Sequence, residues 1–280
     1  MPVPATITDL DPVASNNFPQ GADIVGASIY ATHQAHSAIL KKQFIRGADI
    51  AVTASGTLTL PVENRYFVLT GTGHNVTGIS DAYNGRVVTL KLPAGLTFVN
   101  SPSLILSGGY DRTTFDGDTI TLVNETSGIW REIGYNYNLG KPSFSVHRGG
   151  VASSNFADGN IVKVSFNLWD FDNYNAFDPL TNFSYTIPTS GTYVFNFSIK
   201  PVTQAAGMVT EALIYKNGAA IRVGASRSDV AAFIPTSTVS CVLELNKGDV
   251  IDFRVQWLGV TGSFAYNGNT LNTYAYGHKL

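Results

Sequence analysis

Two stretches near the end of the chain leave little freedom in how it can fold. In one, Tyr193, Phe195, Phe197 and Ile199 alternate with Thr192, Asn196 and Ser198; in the other, Ile251, Phe253, Val255 and Trp257 alternate with Asp252, Arg254 and Gln256. A β-strand turns successive side chains to opposite faces. A period of two over eight residues therefore puts one face in a core and the other in water or in an interface. Such strands predict a two-sheet sandwich, a jelly roll, over residues 141–280.

Ahead of it, residues 47–138 read as short strands broken by turn residues. The candidates are Thr57 to Leu60, Tyr66 to Leu69, Val87 to Leu92, Leu104 to Leu106, Thr119 to Val123 and Trp130 to Ile133, punctuated by glycines from Gly71 to Gly128. No helical pattern interrupts them, which argues against parallel βαβ units. Thr-Leu-Thr-Leu-Pro at 57–61 and Thr-Leu-Lys-Leu-Pro at 89–93 form a weak internal echo. Residues 135–143 read as a linker.

Residues 1–20 are rich in Pro, Ala and Asn and read as an extended arm. A helix is predicted over 28–43, with Ser28 as its cap and Ile29, Thr32, His36, Ile39 and Gln43 at roughly heptad spacing. A helix of about 16 residues is marginal alone in water. A three-fold bundle with its own copies is the simplest partner, which makes Ile29, Thr32, His36 and Ile39 the candidate trimerisation seam. His36 there reads as structural or solvent-facing, with metal binding or pH sensing as the alternative.

The net charge of −2 in 280 residues leaves no electrostatic footprint for nucleic acid or an anionic membrane. Charged residues are 14%, against roughly 25% in ordinary soluble domains. Such a surface, made polar by Thr, Ser, Asn and Gly, suits contact with copies of itself. One cysteine, Cys241, excludes an internal disulfide and a thiolate metal cluster; its alternation with Val239, Leu243 and Leu245 makes it a small core residue. No apolar stretch of about 18 residues is present, so no membrane insertion is expected. Met1 to Leu10 lack the basic start and apolar run of a signal peptide.

An enzyme needs convergent chemistry. There is no Gly-x-Ser-x-Gly elbow, the Gly71, Gly73, Gly78 spacing does not fit dinucleotide binding, and the five histidines are scattered. No catalytic residue and no cofactor is expected. Asp170, Asp172, Asn173 and Asn175 offer hard oxygen ligands for calcium, but Asn175 stands where the twelve-residue loop needs Gly and Thr181 where it needs the closing Glu. A solvated acidic loop is the other reading. With Trp169 and Tyr174, the same segment is the candidate ligand surface: rings for the C–H faces of a sugar, Asp and Asn for its hydroxyls. Its aromatics would alternatively be core or trimer interface. Tyr266 with Asn267 to Asn269 forms a second, similar loop.

Several motifs of residues 141–280 then resemble, in order, the globular head of complement and tumour necrosis factor type. They are Phe144-Ser145-Val146-His147-Arg148; Val164 and Phe166; Phe177-Asp178-Pro179-Leu180-Thr181-Asn182-Phe183; Pro188 with Gly191-Thr192-Tyr193-Val194-Phe195; Tyr215-Lys216-Asn217-Gly218; Lys247-Gly248-Asp249-Val250; and the final Tyr274-Ala275-Tyr276-Gly277. Phe177 replaces a usual Tyr, Asn182 a usual Gly, and His278-Lys279 a usual apolar pair. The resemblance implies a jelly roll that trimerises and binds, without catalysis. The N-terminal pieces Ile7-Thr8-Asp9-Leu10 and Pro19-Gln20-Gly21-Ala22-Asp23, and the middle run Gly85 to Leu90, Leu104 to Leu106 and Gly128 to Arg131, resemble tailed-bacteriophage fibre proteins.

Together these imply an all-β homotrimeric virion fibre or spike: arm and helix at 1–46 attaching to a capsid or tail protein, a fibre module at 47–138, and a head at 141–280. It would sit on the virion surface, made in the host cytoplasm and released by lysis, and mediate adhesion, a host surface glycan being one possible ligand. A capsid decoration fibre is the alternative, and a polysaccharide depolymerase the lesser one.

Overall fold

The computed structural model of the chain describes residues 25–80, 83–126, 128–230, 233–259 and 261–280. They form one helix and predominantly β-structure, in two compact units meeting between Asn138 and Leu139. The N-terminal arm, residues 1–20, lies outside the described residues, as do the side chains of residues 25–29, Ile29 among them.

In the first unit, helix α1 spans Val25–Phe44. The helix thus already includes Ser28, the expected cap. Strands follow at Ile50–Ala51 (β1), Gly56–Leu58 (β2), Tyr66–Thr70 (β3), Asn75–Ile79 (β4), Val87–Lys91 (β5), Thr97–Phe98 (β6), Leu104–Ile105 (β7), Arg112–Thr113 (β8), Thr119–Thr126 (β9) and Ile129–Asn136 (β10).

No helix joins the strands of this unit among the described residues, yet most of them pair in parallel. β1, β3 and β5 stack in parallel in one sheet, Ile50 beside Leu69 and Tyr66 beside Thr89. β2, β4 and β6 stack in parallel in a second, Leu58 beside Ile79 and Asn75 beside Thr97. The chain thus winds as a solenoid, laying one strand in each sheet per coil. A parallel pair needs a crossover of a dozen residues or so, usually a helix; here a strand of the opposite sheet supplies it. β9 and β10 then form an antiparallel hairpin, with β9 paired to β5 and β10 parallel to β7.

The inward residues Phe67, Leu69, Val76, Val88, Leu90, Phe98, Leu104, Ile120, Leu122 and Trp130 make one apolar column. The Leu-rich echo is no coil repeat. Thr57 and Leu58 lie in β2 of one sheet, Thr89 and Leu90 in β5 of the other. The two pieces share an in–out pattern and nothing more. The turn glycine Gly71 has φ +105°, and a Cβ there would meet the Val52 carbonyl oxygen at 2.3 Å, so only glycine lets adjacent coils approach so closely.

The helix docks by its C-terminal end. Asn64 Nδ2 donates to the carbonyls of Lys42 and Ile45, both at 3.0 Å, satisfying acceptors the helix cannot pair itself. Lys42 meets Glu63 at 3.0 Å, and Arg65 Nε donates to Gln43 Oε1 at 3.1 Å. Thr32, Ile39 and Gln43 are buried within the single chain, and His36 is half-buried. The candidate seam thus has cover at Thr32 and Ile39 without a second copy.

Residues 135–143 are no free linker. β10 runs to Asn136, and Tyr135 Oη and the Asn138 amide both donate to the buried Asp118 carboxylate, at 2.6 and 2.8 Å. Arg112 forks onto Glu132 at 2.9 Å, donates to Tyr137 Oη at 2.9 Å and lies 4.3 Å over the Tyr135 ring. Burial and the Asp118 hydrogen bond push the Tyr135 phenol up.

The second unit contains strands at Ser143–His147 (β11), Phe156–Ala157 (β12), Ile161–Lys163 (β13), Leu168–Asp172 (β14), Phe177–Asp178 (β15), Ser184–Thr186 (β16), Gly191–Ile199 (β17), Val209–Lys216 (β18), Ala219–Arg227 (β19), Ser237–Leu245 (β20), Val250–Leu258 (β21), Ser263–Phe264 (β22) and Tyr274–Lys279 (β23). One sheet has the order β14-β11-β23-β17-β20 and the other β15-β16-β21-β18-β19, with β13 also on β21. From β16 onward the chain crosses repeatedly between the sheets, and only the β18–β19 hairpin stays within one. That is a jelly roll.

The two alternating stretches are the interior strands β17 and β21, and their eight apolar side chains are all fully buried. Phe144 stacks on Tyr185 at 4.2 Å, and Phe156 on Trp257 at 5.0 Å. Gly277 lies between the rings: a Cβ there would fall 2.6 Å from Phe195 and 2.9 Å from Phe144. Cys241 is buried in this core, and burial pushes its thiol up.

Candidate functional site

The segment Phe177 to Phe183 is built by its aspartate. Asp178 Oδ1 accepts from the amides of Leu180 and Thr181, and Oδ2 from the amide and side chain of Asn182, all at 3.0 Å. Backbone amides favour the charged form, so they hold the carboxyl below its usual range. Asn182 thus closes the turn with its side chain, and Phe177 is buried near Phe144 at 5.9 Å.

Two other motifs interlock. Asn217, at φ 50°, and Gly218, at φ 83°, turn the β18–β19 hairpin. Asn217 Nδ2 donates to Asp249 Oδ1 at 2.8 Å, its Oδ1 accepts from the Val250 amide at 2.8 Å, and Lys216 pairs with Asp249 at 2.9 Å. Lys279 is also buried, its Nζ donating to Thr189 Oγ1 and the Ser190 carbonyl at 3.0 and 2.7 Å. Its ammonium occupies that position by finding neutral oxygens.

The segment 169–175 splits. It begins as strand β14, at the edge of its sheet, and is not a loop up to Asp172. Trp169 and Phe171 are exposed, at 54% and 49%. Asp172 accepts from the amides of Tyr174 and Phe177, at 3.3 and 2.8 Å, and burial raises its pKa against those bonds. Asn173 accepts from the Ser143 amide at 2.8 Å and donates to the carbonyls of Leu139 and Lys141 at 2.8 and 2.9 Å. Tyr174 Oη donates to the Gly140 carbonyl at 3.1 Å, and Asn175 takes the left-handed conformation at φ 49°.

These residues clamp the chain where it enters the unit. The Asp172 and Asn173 side-chain oxygens accept from separate backbone amides. Among the described residues no group of three or more His, Cys, Asp or Glu side chains could hold a metal. The second loop is also corrected. Tyr266 is buried at 1%, its Oη accepting from the Ser165 amide at 3.2 Å under the Arg148 guanidinium at 5.5 Å, because its ring completes the core beside Phe156.

What remains exposed is the outer face of the five-stranded sheet. Asp170 meets Ser145 Oγ, which donates at 2.7 Å, and faces His147 Nε2 at 3.5 Å; His147 Nδ1 accepts from the Gly149 amide at 3.1 Å. On β23, Tyr274 and Tyr276 lie on the same side, rings 6.4 Å apart and nearly parallel. Two open cavities of about 530 and 520 Å³ share this face. Phe171 and His278 line the first, Asp170 and Leu271 the second, and Ser145 and Tyr276 belong to both. Val242 of β20 is exposed at 56% farther across the sheet. The alternation of Tyr274, Tyr276 and His278 with buried Ala275, Gly277 and Lys279 carried that signal in the sequence.

No family profile and no curated protein matches the chain. Solved structures similar to it include the globular domain of zebrafish complement 1qA protein (17% identity, 50% of this chain and 98% of that one, TM-score 0.35). Murine APRIL at pH 5.0 (11%, 50% and 99%, 0.38) and the Eiger TNF of S. frugiperda (12%, 50% and 92%, 0.35) are others. At these scores the jelly roll stands on its own strand order. Among the described residues no helix is long and apolar enough to cross a membrane.

Proposed function

We propose that this chain is a homotrimeric fibre or spike of a tailed-bacteriophage virion, with the solenoid unit as its shaft or shoulder and the jelly roll as an adhesive head. The observation that carries the reading is the outer face of the five-stranded sheet. Phe171 and Tyr276 stand exposed there beside the half-buried Tyr274, among Ser143, Ser145, Thr192, Asn196 and Ser240, with Asp170 and Glu244 as the carboxylates of the face. Aromatic side chains on a weakly charged face are the composition of an interface core. Three such faces meeting around an axis form a heterologous contact that closes into a ring. Edge strand β14 extends this face with the exposed Leu168 and Phe171, which a neighbouring copy would cover.

The virion part rests on the resemblance of the N-terminal and middle segments to phage fibre proteins, and a two-unit chain of winding coils followed by a head suits display at a distance. Three weak sites per trimer would give attachment by avidity. The test is to label purified particles with an antibody raised against residues 141–280. Signal on the particle, lost when adsorption is blocked by free head protein, supports the reading. An unlabelled particle overturns it, and label over the capsid shell with unimpaired adsorption reassigns the chain to decoration.

A further inference from the structure

Among the described residues, the solenoid holds a buried cation, Arg86, that no carboxylate faces. Arg86 immediately precedes strand β5 and is 1% exposed. Its Nη2 donates to the carbonyls of Pro61 and, at 2.9 Å, Asn64, both neutral. Its Nε and Nη1 are enclosed with no acceptor, and so is the hydroxyl of Tyr83, three residues earlier across the Gly85 turn. Arg65 adds a second positive charge nearby, and burial itself already disfavours the charged form. No carboxylate among the described residues pairs with Arg86. A guanidinium does not neutralise, so a buried one demands compensation. A water could take the hydrogen bonds but not the charge.

We propose that a small monovalent anion of halide size is bound between the Arg86 guanidinium and the Tyr83 hydroxyl. The site stabilises the solenoid in proportion to the anion present, since only the folded chain brings the donors together. It does not depend on the fibre reading.

The test compares thermal melting of the full chain in sodium chloride, bromide and gluconate at equal ionic strength, gluconate being too bulky to enter. Chloride and bromide should raise the solenoid's melting temperature by about 2–4 °C over gluconate. Tyr83→Phe, which keeps the packing, should shrink that difference, and crystals soaked in bromide should carry an anomalous peak beside Arg86. Equal melting in all three salts overturns the proposal, as does a halide effect that survives Arg86→Met. Asp81 lies outside the described residues and serves as the control: if Asp81→Asn first creates a halide dependence absent from the unaltered chain, Asp81 is the counter-charge and the anion site is refuted.

Discussion

Replacing Tyr276 by Asp should take the proposed trimer apart and leave the head folded. The Tyr276 side chain is 41% exposed and points away from the core, whose own residue at this place in the strand is Ala275. An aromatic side chain carries about 200 Å² of surface, so roughly 80 Å² remains to be covered by a neighbour. At ~25 cal/mol per Å² this contributes about 2 kcal/mol per contact. A ring of three has three such contacts, or roughly 6 kcal/mol, and each buried, unpaired carboxylate would add a penalty of about 2–5 kcal/mol. Even the smaller sum corresponds to about four orders of magnitude in the dissociation constant.

Light scattering at micromolar concentration is the assay. The unaltered chain should scatter as three times 30.0 kDa and Tyr276→Asp as a single chain. Its far-ultraviolet circular dichroism should stay that of the folded protein. An unaltered chain that scatters as a monomer refutes the trimer. A variant that stays trimeric, with the same concentration dependence, refutes this face as the contact.

Other perturbations probe the two units separately. Glu132→Gln removes the charge facing Arg112, whose side chains are 4% and 10% exposed, and should lower unfolding stability in urea by about 3–5 kcal/mol; a loss below about 1 kcal/mol would mean the pair is not buried in solution. Asp178, whose folded pKa is depressed, stabilises the head fully above the ordinary aspartate value of 3.8, and that contribution is lost as pH falls through the lower folded value. The melting gap between the unaltered chain and Asp178→Asn should therefore be open at pH 6 and close below pH 3.8, and a gap that ignores pH removes the amide cradle from the account. Trp169→Ala should change stability by less than about 0.5 kcal/mol, because the ring is 54% exposed, while weakening adsorption to host cells; a steep drop in melting would place Trp169 in a buried contact.

Much of the head was legible in sequence because the signal is local. Strands β17 and β21 announced themselves by alternation, and the runs around Asp178 and Asn217 by their resemblance to the complement and tumour necrosis factor head. The candidate site was less legible. Asp172, Asn173, Tyr174 and Asn175 read as a ligand surface from composition, yet their polar atoms or backbone conformation serve the clamp on residues 139–143 and the turn before Phe177. That assignment depends on Ser143 pairing next to Phe171's strand, thirty residues away, which no window of sequence contains. Tyr266 misled for the mirror reason: a Tyr among asparagines looks like a surface loop until its ring is seen to finish the core.

The sequence by itself determined the long interior strands of the head and which face of each is apolar, since both follow from side-chain alternation within eight residues, whereas β4 and β14 lacked that signal. Only the tertiary structure decided how strands meet. An in–out pattern is the same in parallel and antiparallel pairing, so nothing local distinguished a solenoid from a meander over residues 47–138. Nor could it say which polar side chains remain for a partner after the backbone has taken its hydrogen bonds. Those outcomes depend on neighbours far apart in the chain.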